Sequence, residues 1–109
     1  MNRPTIGIPT VNGLLFCLVE DIICLIAEGS YTHLVMREKK RITLAKKLGD
    51  LADILPEQFL RIHHSHIVNL QHVVKFVKEN NGLVVLSNGE ELSVSKQRKK
   101  AFLEKYIIL

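Results

Sequence analysis

The sequence has no tryptophan, and its aromatic side chains are confined to four phenylalanines and two tyrosines. The phenylalanines, Phe16, Phe59, Phe76 and Phe102, all sit in apolar patterns. Proteins that hold single-stranded nucleic acid by stacking its bases need aromatic faces turned to solvent, so this class is disfavoured. No apolar run reaches the roughly 20 residues of a membrane-spanning helix. The start, Met1-Asn2-Arg3-Pro4-Thr5, lacks the basic and then apolar pattern of a secretory signal. Two cysteines are too few for a disulfide scaffold. Cys17 and Cys24 lie in the apolar stretch LLFCLVEDIICLIAEG, where they read as buried free thiols of a reducing compartment; a cytoplasmic location is expected. The six glycines form neither a GxGxxG nor a GxxxxGK[ST] phosphate loop. There is no internal repeat, low-complexity tract or Pro/Ser-rich linker.

What is present is an ordinary globular composition, 47% hydrophobic and 24% charged over 109 residues. That length suits one domain with one core. The formal charge of +4 is unevenly spread. Residues 1–30 carry Arg3 against Glu20, Asp21 and Glu28, whereas residues 37–47 carry Arg37, Lys39, Lys40, Arg41, Lys46 and Lys47 against Glu38. Lys96, Arg98, Lys99 and Lys100 form a second cluster, and Arg61 with His63, His64 and His66 a third. Taken singly, each is a solvated face. Brought together by a fold, they would be the electrostatic footprint of a nucleic-acid binder.

Short strand-like segments separated by turn signals dominate the chain, which predicts antiparallel β architecture. Thr5–Pro9 and Leu14–Val19 flank the turn signal Asn12-Gly13. Ile22–Ala27 follows, then a strand pair doubling back between Thr32 and Leu44 around Glu38-Lys39-Lys40. Phe59–Ile62, Val73–Lys78, Leu83–Leu86 and Glu91–Val94 are further strands, with hairpin signals at Asn80-Asn81-Gly82 and Asn88-Gly89. His63-His64-Ser65-His66 reads as a surface loop or strand end. Leu48, Leu51, Ala52 and Leu55 fall on one helical face, predicting a short helix over Lys46–Leu55 ended by Pro56. A second short helix is expected over Lys96–Tyr106. Tyr31 and Phe59 read as core, and Asn69 as a cap for a turn at Leu70–Val73.

Catalysis and metal binding find little support. Three histidines within His63–His66 invite a metal reading, but structural zinc sites want convergent Cys/His ligands, and both cysteines lie far upstream. Ser65 has no base oriented by a third group. The pairs Glu20-Asp21 and Glu90-Glu91 are adjacent rather than convergent. The expectation is therefore a non-enzyme without cofactor or metal. Imidazole, guanidinium, ammonium and hydroxyl groups instead suit hydrogen bonding to phosphates and base edges. A rival from another class is a protein-interaction or signalling module whose basic surface is generic; RNA binding is a lesser rival.

Several pieces in order resemble the LytTR domain, the DNA-binding output domain of bacterial response regulators. They are the Glu20-Asp21-Ile22 step into Ile23–Glu28, then Glu28-Gly29-Ser30-Tyr31-Thr32-His33, then the Leu48–Leu55 helix with Pro56. Phe59-Leu60-Arg61-Ile62-His63-His64-Ser65-His66-Ile67-Val68-Asn69 is the most specific element, and Asn88-Gly89 with Leu92-Ser93-Val94-Ser95-Lys96 closes the series. The match runs from about Ile6 to Tyr106, so residues 1–109 are expected to be a single LytTR-like domain. No receiver domain fits before Ile6, which implies an excised output domain or a stand-alone regulator. The resemblance implies a mainly β, elongated fold of about ten short strands in small antiparallel sheets, with one or two short helices. It implies sequence-specific binding of double-stranded DNA and transcription regulation, with loops entering successive major grooves. Carried over by position, His33, His64 and Lys96 would contact bases. Arg61, Ser65, Lys46, Ser95 and Gln97 would contact phosphates. Paired direct-repeat promoter sites are expected, bound by a dimer on DNA that is monomeric when isolated.

Overall fold

The computed structural model describes residues 3–109. Ten strands and two helices are arranged in three antiparallel sheets. The central sheet has five strands in the order β5-β4-β3-β7-β6: Arg41–Leu44, Tyr31–Met36, Ile22–Glu28, His66–Asn69 and Phe59–His63. β1 (Thr5–Thr10) and β2 (Gly13–Leu18) form a separate hairpin, and β8 (Val73–Val77), β9 (Leu83–Leu86) and β10 (Glu91–Ser93) a three-stranded sheet. The helices are α1 (Leu48–Ala52) and α2 (Lys96–Leu103). The molecule is elongated, 46 Å by 37 Å by 25 Å. No helix among the described residues is long and apolar enough to cross a membrane.

The unbroken run Ile22-Ile23-Cys24-Leu25-Ile26 has a physical reason. A strand at the centre of a sheet covered on both faces needs apolar side chains in both directions. Ile22 and Leu25 join Ile8, Leu34, Leu51 and Ile67 on the face covered by the β1–β2 hairpin and α1. Ile23 and Cys24 join Val35, Ile62, Val84 and Phe102 on the face covered by β8–β10 and α2. Burial pushes the Cys24 thiol up to about 12, so it is protonated and unreactive at neutral pH. Both cysteines are free thiols, Cys17 only half-buried.

Buried polar groups tie the layers together. Asn69, fully buried, donates to the carbonyls of Val19 and Ile22 and accepts from Gln58 and from the Gln71 N–H. Its carbonyl oxygen thus caps the 3-10 turn Leu70–His72, as its position before that turn implied. His72 bridges the Ser87 hydroxyl at 2.7 Å and the Glu20 carbonyl at 2.6 Å. The carbonyl can only accept, so Nε2 donates to it, and Nδ1, when the ring is neutral, accepts from Ser87.

Several sequence expectations need correction. α1 is shorter than Lys46–Leu55 because the Lys46 carbonyl is taken by the Thr32 hydroxyl at 2.8 Å and Lys47 is extended. α2 stops at Leu103 rather than Tyr106; the Tyr106 hydroxyl instead donates to the Leu70 carbonyl at 3.0 Å. Strand β7 was hidden by its brevity and its polar lead-in, and pairing with β3 and β6 decides it. Tyr31 is not core: it stands 53% exposed beside the β3–β4 turn, while Phe59 is buried. Phe16 is 68% exposed because the β1–β2 hairpin covers the sheet with one face only, and Phe16 lies on the other.

Candidate nucleic-acid interface

Strand register assembles one end of the central sheet. The two-residue turn Gly29-Ser30 joins β3 to β4, and Gly29 takes a left-handed φ of 59° that favours glycine there. The turn His64-Ser65 joins β6 to β7 at the same end, since His66 on β7 pairs with Ile26 on β3. β5 finishes here too, Leu44 pairing with Thr32, and Lys46 follows immediately. Thr43, His33, Ile26, His66 and His63 consequently form one row across five strands and share a face.

The start of α2 is fastened to this end by two bonds. The Ser95 N–H donates to the Ile62 carbonyl at 2.8 Å, and His66 Nδ1 donates to the Ser93 carbonyl at 3.0 Å. Lys96 and Gln97, both exposed, therefore begin α2 beside the His64-Ser65 turn. First-turn N–H groups of a helix favour a neighbouring anion. All eight residues singled out from the sequence, His33, His64, Lys96, Arg61, Ser65, Lys46, Ser95 and Gln97, are gathered at this one end, which we term the His64 end.

They are not equivalent there. His33 is engaged at both ring nitrogens, with Thr43 Oγ1 at 2.7 Å and Glu28 Oε1 at 2.8 Å. The carboxylate only accepts, so His33 Nε2 donates to Glu28 and Nδ1, when the ring is neutral, accepts from Thr43. His63 Nδ1 accepts the Ser65 N–H at 3.0 Å, and its ring stacks on His66 at 4.6 Å. His66 is held below the ordinary histidine range, chiefly by burial and then by the neighbouring His63, against the opposing pull of the Ser93 carbonyl and Glu90. His64, by contrast, is exposed, and its ring makes no hydrogen bond among the described residues.

Arg61 serves the turn. Its Nε donates to the His63 carbonyl at 3.3 Å and its Nη2 to the His64 carbonyl at 2.6 Å. The guanidinium lies over Gly49 of α1, where an added Cβ would stand 3.4 Å from Nη1. Ser65 is half-buried, and its carbonyl accepts from the Ala27 N–H at 2.9 Å. The Ser95 hydroxyl is buried with no hydrogen-bond partner among the described residues.

Glu28 and Thr43 were missed from the sequence. Glu28 could have been found: a two-residue Gly29-Ser30 turn sets Glu28 opposite Tyr31, which puts His33 diagonally across on the same face. The basic run 37–47 is divided. Lys46 and Lys47 follow β5 at the His64 end, whereas Arg37, Lys39, Lys40 and Arg41 lie at the opposite end, since Arg41 pairs with Val35. No group of three or more metal-ligating side chains converges among the described residues.

A β scaffold that offers imidazole, ammonium and hydroxyl groups from turns at one end defines a domain for binding a phosphate-bearing polymer. Residues 12–107 match the LytTr DNA-binding domain family, and the chain belongs to it. This is a DNA-binding family rather than a catalytic one. Two similar curated proteins come from Paraburkholderia xenovorans (strain LB400). Heme-containing CO-sensing transcriptional regulator RcoM 1 is 31% identical over 91 residues, covering 82% of this chain and 34% of that protein. RcoM 2, with the same description, is 30% identical over 84 residues, covering 75% and 31%. The chain thus spans about a third of the length of these curated relatives. In fold it is similar to the LytTr DNA-binding domain of a protein described as a methyl-accepting/DNA response regulator from Bacillus cereus. The TM-score is 0.78 at 24% identity, over 94% of this chain and 96% of that one.

Proposed function

We propose that this domain binds double-stranded DNA sequence-specifically and regulates transcription in the cytoplasm, with the His64 end entering major grooves. The observation that carries this reading is the convergence of His33, His64 and Lys96 on one end of the sheet. His64 and Lys96 are free to reach base edges, and His33 Nε2 becomes free once it releases Glu28, while Nδ1 stays on Thr43. Lys46, Ser65 and Gln97 contact phosphates, with Arg61 and Ser95 at the border of the same surface. Phosphates fix register without sequence information, and base edges supply it. The names of the RcoM relatives support the regulatory role. The family resemblance supports an output-domain context, either in a two-component response regulator or in a stand-alone regulator, with residues 1–109 acting as one unit. Paired direct repeats bound by two protomers fit that context; light scattering with and without a two-repeat duplex tests it.

Selection from random duplexes followed by gel shifts tests the central claim. A consensus should emerge, and the selected duplex should bind at least about a thousandfold more tightly than random duplex, the lower end for specific binders. Equal affinity for selected duplex, random duplex and single strand would reduce the surface to a generic polyanion grip.

A further inference from the structure

The core beneath the β1–β2 hairpin is not filled. Between β1, the central sheet and α1 lies a cleft of about 190 Å³. Ile22, Leu25 and Leu34 form its floor and Leu51 of α1 one wall. Ile54, 76% exposed, stands at its mouth. Lys46 is the one charged residue that lines it, and no carboxylate pairs with Lys46 among the described residues. A Leu/Ile-lined cavity of about 150 Å³ stays dry and takes up benzene, because water finds too few polar partners there. The same proportion, about 25 Å³ per carbon, gives this cleft room for about seven or eight carbons. An apolar interior with one exposed lysine among its lining residues suits an apolar body that ends in an anion.

We propose that the cleft binds a small monocarboxylic acid with an aliphatic tail. The tail lies against Leu25, Leu34 and Leu51, and the carboxylate pairs with the Lys46 ammonium. Lys46 also belongs to the proposed phosphate-contacting set, and the Thr32 hydroxyl fixes its backbone beside the row of His33. An acid seated here withdraws one cation from DNA, so it acts as a negative effector. The ligand site stands independently; the coupling rests on the DNA reading above.

Calorimetric titration of the DNA-free domain with octanoate, octan-1-ol and acetate tests the site. Octanoate should bind saturably, octan-1-ol about fivefold more weakly, as loss of an exposed ion pair implies, and acetate not at all. Lys46→Met should bring octanoate down to the level of octan-1-ol. Ile54→Trp, at an exposed position that leaves folding intact, should close the mouth and abolish binding of both. Equal binding of octanoate by wild type and Ile54→Trp, or no binding by wild type, overturns the site. In gel shifts on the selected duplex, octanoate should weaken wild type and lower its salt slope by about one, with no effect on Lys46→Met. Octanoate bound without change in duplex affinity overturns the coupling. A domain that binds no duplex in the absence of octanoate refutes the DNA reading, while calorimetry still decides the cleft.

Discussion

The two ends of the central sheet are both basic, and they differ in what surrounds the charge. At the end built on Arg37–Lys40, the cations Lys39, Lys40 and Arg41 share one open cleft with Glu38, Glu90 and Glu91, and Arg37 pairs with Asp21 at 3.7 Å. Its tip places Glu38 and Lys39 in the left-handed region, at φ of 62° and 61°. At the His64 end, the strand carboxylate Glu28 is occupied by His33, and the turn is braced by Arg61 and fastened to α2 through Ser93 and Ser95. Arg37–Arg41 and Lys96–Lys100 each carry four cations in five residues, so charge density in the sequence does not distinguish the compensated end. The other end combines charge with fixed geometry, and specific recognition needs groups held in place by their neighbours.

The largest effect should follow from removing the brace. Arg61→Ala should destabilise the fold by about 2 kcal/mol, because it deletes two charge-assisted bonds to the turn carbonyls. Selected-duplex affinity should fall at least about tenfold, as the His64 turn loosens. Arg61→Lys should not rescue it, since an ammonium cannot offer two separated donors in a plane. Urea denaturation with gel shifts reads both effects. A fully stable Arg61→Ala would show that the turn does not depend on the guanidinium.

His64→Ala isolates reading from bracing. It should cost roughly 1–3 kcal/mol on the selected duplex and relax preference at one position, with unchanged urea midpoint. An equal loss on random duplex would assign His64 to the phosphates.

Glu28→Ala tests whether the His33–Glu28 pair competes with DNA. Freeing the ring and removing one negative charge should tighten duplex binding by about fivefold at low salt and less at high salt. Weaker binding would mean that Glu28 positions His33 for contact.

The opposite end should be nearly silent. Lys39→Gly with Lys40→Ala should leave duplex affinity within about twofold, as expected for exposed, locally compensated charges. The same pair of changes should raise stability by about 0.5 kcal/mol, the relief of left-handed backbone less the entropy of glycine. A salt slope reduced by two would place this end on DNA.

The smallest effect concerns pH. His66 is depressed in the folded state, so between that lowered value and the unfolded value near 6.5 the unfolded chain binds more protons. Stability is therefore full above about 6.5 and is lost as pH falls through that window. The thermal midpoint should drop on acidification from pH 7.5, and His66→Gln should drop less. An unchanged slope in His66→Gln would assign the acid sensitivity elsewhere.

The linear order of residues already encodes the strand-rich architecture, the hairpins at Asn12-Gly13 and Asn88-Gly89, the cap at Asn69 and the family. These depend on local turn chemistry and on residues fixed in order along the chain. It also marked His33, His64 and Lys96 as a group. Only the folded arrangement sets which histidine is free, because Glu28, Thr43, Ser93 and Ser65 act on the rings through pairing across strands and sheets. Only it divided the basic run 37–47 between two ends, because antiparallel β4–β5 pairing puts Arg41 beside Val35 and Leu44 beside Thr32. Register and face are long-range quantities, and a linear pattern of charge does not specify them.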